Sequence, residues 1–393
     1  MIQAIAALRD AAWLTPGRAR AWCVVLATIS LAVIAGALVG AWSGALHQPL
    51  GTDFISFYAA SSLALSGSPA AAYAPMAHKA MQTAIFGAAL PGYYAFFYPP
   101  VFLLICLPFA MLPYQAALSL WLSVSFVPVF VTLRRVLPAR WAILPILAFP
   151  AVLTNAGHGQ NGFLSAGLFG AGALLLERRP FLAGLCLGGL IYKPHLLIAV
   201  PISLVAARRW RALAGVAAAA TGLVTLSWLA FGPETWRSFL EIAPQARMTL
   251  ETGLVDPSKM ASLFAAVRIL GGPASVAYAL QLPLALAALL LLWRNAARRP
   301  GGLAEGALMA MASLLATPFL LSYDLTCLSL PIAWIAAEAL RSAWRPWEKI
   351  TLLIAYLLPV LTLTLATIGL PLAPLAMAAL MVLVARRATL PQL

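Results

Sequence analysis

The chain has 393 residues, of which 63% are hydrophobic and 9% charged, with a mean hydropathy of +0.93; a water-soluble domain of this size cannot be so apolar. A formal charge of +14 would point to nucleic acid in a soluble protein, but the basic residues stand in small clusters at the ends of apolar runs, the positive-inside signal of membrane topology, which argues against a nucleic-acid partner. Cys23, Cys106, Cys186 and Cys327 lie inside apolar runs without CxxC or Cys/His spacing, so neither a disulfide framework nor a zinc site is indicated.

A span needs roughly 20 apolar residues, and about a dozen such stretches run from residues 21–42 to 372–385. The reading is one all-α, polytopic membrane domain over residues 1–393, surrounded by membrane lipids. Arg9, Arg18 and Arg20 precede the first run and no convincing small-residue cleavage site follows it, which predicts a retained helix and not a signal peptide. These three, together with Arg134/Arg135/Arg140, Arg178/Arg179, Arg208/Arg209/Arg211, Arg294/Arg298/Arg299, Arg341/Arg345/Lys349 and Arg386/Arg387, are assigned to the cytoplasmic side of an inner (plasma) membrane, with both termini. Each interval past Arg140 splits into two apolar runs, whereas the interval from Arg20 to Arg134 holds three, so one of those cannot cross. Residues 98–112 open on Tyr98-Pro99-Pro100 and break again at Pro108 and Pro113, which predicts a short interfacial or re-entrant helix at the outer face. About twelve crossings are left, two of which, 181–192 and 196–207, are short enough to be half-helices meeting at Lys193-Pro194.

Three outer regions follow. A first periplasmic loop, 43–113, contains two interfacial helices, 54–65 and 76–89, turned at Ser66-Gly67-Ser68-Pro69; a second covers 232–273; short connections lie at 154–162 and 317–324. Gly184 and Gly188 have small-xxx-small spacing, a helix-packing signal.

Asp53 and Asp324 each sit where an outer loop meets an apolar helix, with no basic neighbour within five residues, and an unpaired carboxylate at membrane depth is expensive enough to imply function. For Asp53 two readings stand together, a helix N-cap and a catalytic carboxylate. Lys193, between two short apolar runs, either holds a lipid phosphate or snorkels to the headgroups. His158, Gln160 and Asn161 form one tight turn, suited to sugar hydroxyls or simply to a helical hairpin. In the second loop Arg237, Arg247, Lys259 and Arg268 face Glu234, Glu241, Glu251 and Asp256, a solvated charge pattern from which one or two cations could reach an anionic headgroup. Tyr93, Tyr94, Phe96, Phe97 and Tyr98 read as an interfacial aromatic belt, a composition that also stacks on sugars.

In order, Thr52-Asp53-Phe54, Phe57-Tyr58-Ala59-Ala60, Tyr98-Pro99-Pro100, Gly159-Gln160-Asn161, Tyr192-Lys193-Pro194 and Ser322-Tyr323-Asp324 resemble glycosyltransferase family 87 of the GT-C superfamily. The likeness runs from about residue 21 to residue 344 and is carried by the order of several short motifs. It implies a GT-C-like helical bundle and a polyprenyl-phosphate-linked sugar donor, as in the mannosyltransferases of cell-envelope glycolipid synthesis, with mannose or another hexose or pentose moved to a lipid or glycan acceptor. It also implies that Asp53, in the first outer loop, is the catalytic base of an inverting displacement. Lys193, Arg247 and Lys259 are then expected at the donor phosphate, and Tyr58, Tyr98, His158, Gln160, Asn161, His195, Tyr323 and Asp324 around the substrates. No cofactor is called for, and the sparse carboxylates offer no metal cage. A transporter or flippase of lipid-linked sugars would also need a polar cavity among helices, although no internal symmetry of the kind common in transporters is visible; an oligosaccharide polymerase or ligase with a diphosphate-linked donor is a weaker alternative.

Overall fold

In hydrocarbon every backbone N–H and C=O must be satisfied inside its own segment, so apolar runs of this length have to coil into helices. The computed structural model describes residues 2–389 except 44, 46, 47, 88, 89 and 91, and those residues form helices joined by short connections, with an isolated antiparallel bridge between Met260 and Leu321. Six helices are long and apolar enough to cross a membrane: Pro16–Gly40, Tyr114–Val136, Trp210–Glu251, Ala274–Ala296, Ser322–Ser342 and Glu348–Thr367. Arg140–Leu147 and Pro150–His158, bent by 50° at their break, make a seventh if taken as one span. Phe54–Leu65, Pro100–Met111, Gly162–Leu175, Pro180–Tyr192, Pro194–Ala206 and Gly302–Ala316 are apolar but only 10–17 residues long. The dozen apolar runs thus resolve into six or seven helices of full length and a set of shorter ones. The multi-pass architecture follows from the former alone.

Shortness and burial go together. Gly302–Ala316 is buried along almost its whole length, and Gly162–Leu175 over most of it; helices enclosed by protein have no bilayer thickness to match. At the other extreme no residue of the scored Pro16–Gly40 window is buried, the helix touching mainly Ile143–Leu147 and Pro150–His158. The glycine spacing at 184 and 188 works as a packing device: Pro180–Gly188 lies so close on the Trp210–Glu251 helix that a Cβ on Gly188 would stand 2.6 Å from the Val216 carbonyl oxygen, and one on Gly184 or Gly215 would collide with backbone outright.

The first outer region contains the expected helix at Phe54–Leu65, then a 3₁₀ turn Pro69–Tyr73 and a helix Pro75–Phe86 that Gly87, in the left-handed region, ends before residue 89. Phe54–Leu65 does not lie with one face open. Eight of its residues are buried against its neighbours, among them Phe54, Phe57, Ala59 and Ala60. The Pro-Pro segment forms the short helix Pro100–Cys106, continued as a 3₁₀ turn to Met111. The region 232–273 opens with helix: the helix from Trp210 is interrupted at Gly232, whose φ of 75° and ψ of 171° are not helical, and a further helical stretch runs past Pro233 to Glu251. Gly-Pro marks the kink, while Arg237–Glu234 (2.7 Å) and Arg247–Glu251 (2.6 Å) are i,i+3 and i,i+4 pairs that support the helix beyond it.

Two buried acids fix helices together. Glu305 accepts from Arg209 at 2.8 Å and from Ser203 at 3.0 Å, and Arg209 also reaches Glu177. Glu348 is held by Arg387 at 2.5 and 2.7 Å. In hydrocarbon surroundings a buried carboxylate without such a partner would be untenable.

Candidate active site

Two tight glycine turns bring the site together. Gly51 and Gly159 both have φ of 64°, and a Cβ on Gly159 would stand 2.6 Å from Cβ of Phe54 and 3.2 Å from Cα of Gly51, so neither turn accommodates a side chain. The turns are tied by the Asp53 N–H donating to the His158 carbonyl at 2.9 Å and by Thr52 Oγ1 to His158 Nδ1 at 3.0 Å. Asn155 frames the second turn, donating to the Gln160 carbonyl (3.0 Å) and accepting from the Gly162 N–H (2.8 Å), and Trp121 donates to the Gly159 carbonyl at 3.0 Å.

Asp53 occupies the N-cap position of Phe54–Leu65, yet its side chain caps nothing. Instead its Oδ2 accepts from Gln160 Nε2 at 2.8 Å, and its Oδ1 accepts no hydrogen bond from the described residues. Gln160 is almost fully buried and is itself held, its Oε1 accepting from the Asn161 N–H (3.1 Å) and from the Tyr98 hydroxyl (3.4 Å).

The next residue continues the network. Asn161 Oδ1 accepts from Lys193 Nζ at 2.7 Å, and the same ammonium donates to Asp324 Oδ1 at 2.6 Å and lies 4.8 Å from the Tyr323 ring centre. Lys193 is 4% exposed and Asp324 1% exposed, so the lysine does not snorkel and the aspartate is not unpaired. Each is the other's counterion. Because Lys193 fixes the carboxamide oxygen, the nitrogen of Asn161 is the other end, and among the described residues it meets no hydrogen-bond partner of good geometry. Lys193 is placed by the break between the Gly189–Tyr192 turn and Pro194, with the Tyr192 hydroxyl anchored on the Asn161 carbonyl (3.1 Å) and Ser165 (2.6 Å). Asp324 sits in the first turn of Ser322–Leu328, whose approach is pinned by the Met260–Leu321 bridge, the Ala261 N–H on the Leu320 carbonyl (2.8 Å) and the Ser262 hydroxyl on the Pro318 carbonyl.

Asp53, Tyr98, Gln160, Asn161, Lys193, Tyr323 and Asp324 therefore form one connected cluster, with His158 exposed at its edge. Tyr58 stands beside it, its ring on Phe54 and Tyr114 and its hydroxyl on the Leu112 carbonyl at 2.7 Å. His195, exposed in the first turn after Lys193, makes no hydrogen bond with the cluster, and Arg247 and Lys259 are exposed outside it, Arg247 on Glu251 and over Tyr278 at 5.4 Å. Asn155, Trp121 and Ser165 were not singled out by motif, their one sequence signal being a polar group inside an apolar run, and Tyr192 was quoted only as the first residue of Tyr192-Lys193-Pro194. Among the described residues no three of His, Cys, Asp and Glu gather as a metal site.

A family model described as glycosyltransferase family 87 matches residues 96–322, more than half of the chain. The chain belongs to glycosyltransferase family 87. That family is of the GT-C membrane type, in keeping with the multi-pass helical architecture. Within this family-87 protein the matched segment takes in Tyr98, the Gln160–Asn161 turn and Lys193, while Asp53 and Asp324 lie outside it and join it through hydrogen bonds. Searches among curated proteins and among solved structures find no match.

Proposed function

We propose that this membrane glycosyltransferase moves a sugar, mannose or another hexose or pentose, from a polyprenyl-phosphate carrier to a lipid or glycan acceptor at the extracytoplasmic face of the plasma membrane, with inversion and with Asp53 as general base. The observation that carries the reading is the Asp53 carboxylate: oriented by Gln160 through one oxygen, free of hydrogen bonds from the described residues at the other, and wired to a buried cation. A base needs this combination of fixed direction and an uncommitted lone pair.

In the proposed reaction Asp53 Oδ1 takes the proton of the acceptor hydroxyl as its oxygen bonds to the anomeric carbon. The bond from that carbon to the phosphate oxygen breaks, and the electron pair leaves with polyprenyl phosphate. A positioned base contributes about 10²–10⁴ in rate, and the rest comes from holding both substrates in one dry site. The leaving phosphate gains charge as the bond breaks, and Lys193 offers the nearest stabilising ammonium, shared with Asp324; Arg247 and Lys259 act from the exposed rim. The Asn161 amide and the Tyr98 and Tyr323 rings suit the donor sugar, with His158 and His195 at the edge. The proposed topology has about twelve crossings, counting the shorter helices, with both termini cytoplasmic and the 43–113 helices at the outer interface.

Proteoliposomes loaded with radiolabelled polyprenyl-phosphoryl sugars test the reaction type. Transfer predicts free polyprenyl phosphate appearing in step with labelled acceptor, whereas intact donor changing leaflets without bond cleavage would identify a transporter.

A further inference from the structure

Residues 93–98 cross in extended form between the Pro75–Phe86 helix and the helix that opens at Pro100, and they are fastened to an unusual degree. His78 and Gln82, one turn apart on Pro75–Phe86, are both fully buried. Gln82 grips the backbone of Tyr94 at both ends, donating to its carbonyl at 2.6 Å and accepting from its N–H at 3.3 Å. His78 Nε2 lies 2.9 Å from the Ser56 carbonyl, which can only accept, so Nε2 carries the proton and Nδ1 accepts from the Tyr93 hydroxyl at 3.1 Å. The Ser56 hydroxyl in turn donates to the Ala95 carbonyl at 3.1 Å. Three successive residues are thus fixed, Tyr93 and Tyr94 onto the Pro75–Phe86 helix and Ala95 onto the first turn of the helix that Asp53 heads.

The side chain at the centre of this strap has no structural task. Tyr58, Tyr73, Tyr93 and Tyr98 all place their hydroxyls on a protein acceptor, but among the described residues the Tyr94 hydroxyl makes no hydrogen bond and its ring no ring contact. Tyr94 is half-buried, and its neighbour Ala95 is hydrogen-bonded to Ser56, three residues past Asp53; burial, and secondarily the Asp53 charge, push the Tyr94 phenol up. A backbone held by buried side chains while its phenol stands uncommitted within the field of a carboxylate is the arrangement of a ligand-contacting residue, since packing alone would not require the clamp.

We propose that Tyr94 is an acceptor-contacting residue, its ring and hydroxyl meeting a sugar- or polyol-bearing acceptor whose reactive hydroxyl faces Asp53, and that His78 and Gln82 are the positioning residues that hold it there. This rests on the reading of Asp53 as the base. The acceptor is the substrate indicated because Asp53 must touch the acceptor hydroxyl, whereas the donor phosphate belongs with Lys193, which no contact links to Tyr94.

Two measurements test it, using purified full-length protein in phosphatidylcholine nanodiscs. With farnesyl-phosphoryl mannose as donor and octyl mannoside as acceptor probe, Tyr94→Ala raises the acceptor KM about tenfold and leaves the donor KM within about twofold, Tyr94→Phe falls between it and the wild type, and Gln82→Ala reproduces the acceptor effect. Saturable binding of tritiated octyl mannoside, which needs no turnover, persists in Asp53→Asn and is lost in Tyr94→Ala. A donor KM that moves while the acceptor KM does not, equal probe binding by wild type and Tyr94→Ala, or no saturable binding to the wild type overturns the inference. Full activity in Asp53→Asn with acceptor binding still dependent on Tyr94 would instead strike the base assignment alone.

Discussion

Replacing Lys193 by Met keeps the length of the side chain and removes its charge. In the native protein the ammonium lies 2.6 Å from Asp324 and 2.7 Å from Asn161, and both members of the ion pair are almost completely shielded from water. The exchange therefore leaves a buried carboxylate without a counterion. Removing one partner of such a pair costs about 3–5 kcal/mol, most of it the penalty of the stranded charge. The same reasoning fixes the cycle: Asp324→Asn strands the ammonium at comparable cost, but Lys193→Met combined with Asp324→Asn removes both charges and recovers most of the loss, so the double variant costs far less than the sum of the two singles. Unfolding of the purified protein in mixed micelles, followed by tryptophan fluorescence over a denaturant series, measures all four corners. The double variant should fold well yet transfer poorly, since the leaving phosphate would then lack the ammonium proposed for it at Lys193. A Lys193→Met cost below about 1 kcal/mol, or no coupling between the two sites, would refute the view of these residues as a buried, mutually dependent pair.

Further outcomes follow from the same geometry. Gly162→Ala puts a Cβ 2.6 Å from Asn155 Oδ1, 3.0 Å from Thr326 Oγ1 and against the Tyr323 carbonyl, while Gly222 has open space; overpacking predicts a loss of about 1–3 kcal/mol and of transfer for the first, and a wild-type melting temperature and transfer rate for Gly222→Ala. Burial, opposed by its bond to the Ser56 carbonyl, pushes His78 down to about 4. A histidine lowered in the folded state binds its proton first when the strap opens, so closure is at full strength above about pH 6.5 and weakens as pH falls toward 4, by about 2 kcal/mol at pH 5. Hydrogen-exchange protection of residues 92–98, taken against the intrinsic rate at each pH, should fall over that window, and His78→Gln should remove that fall.

Much of the local structure was legible because apolar runs, prolines and glycines speak for themselves. The 54–65 helix, the break at Lys193-Pro194, the short helix after Pro99-Pro100 and the close glycine packing at 184 and 188 all came from such signals. What pattern could not supply was pairing at a distance. Lys193 and Asp324 are separated by 131 positions, so each looked solitary, and the lysine's phosphate role had to be weighed without its counterion. The same limit hid Glu305 behind Arg209 and Glu348 behind Arg387, where the arginines were legible only as topology markers. Gly232-Pro233 does interrupt the helix, but the helical stretch beyond it, to Glu251, was hidden by its charges and by Pro244. The number of spans was not legible for another reason, because apolarity reports burial in protein and burial in lipid alike. Tyr94 was visible only as one aromatic in a belt; its distinction lies in the clamp on its backbone and the freedom of its hydroxyl.

Single-turnover transfer by Asp53→Asn is the most direct trial of the central claim. The amide keeps the shape of the carboxylate but cannot take a proton, so donor binding should stay within about threefold of wild type while the transfer step slows by about 10²–10⁴. A variant that transfers at the wild-type rate would show that the proton of the acceptor goes elsewhere.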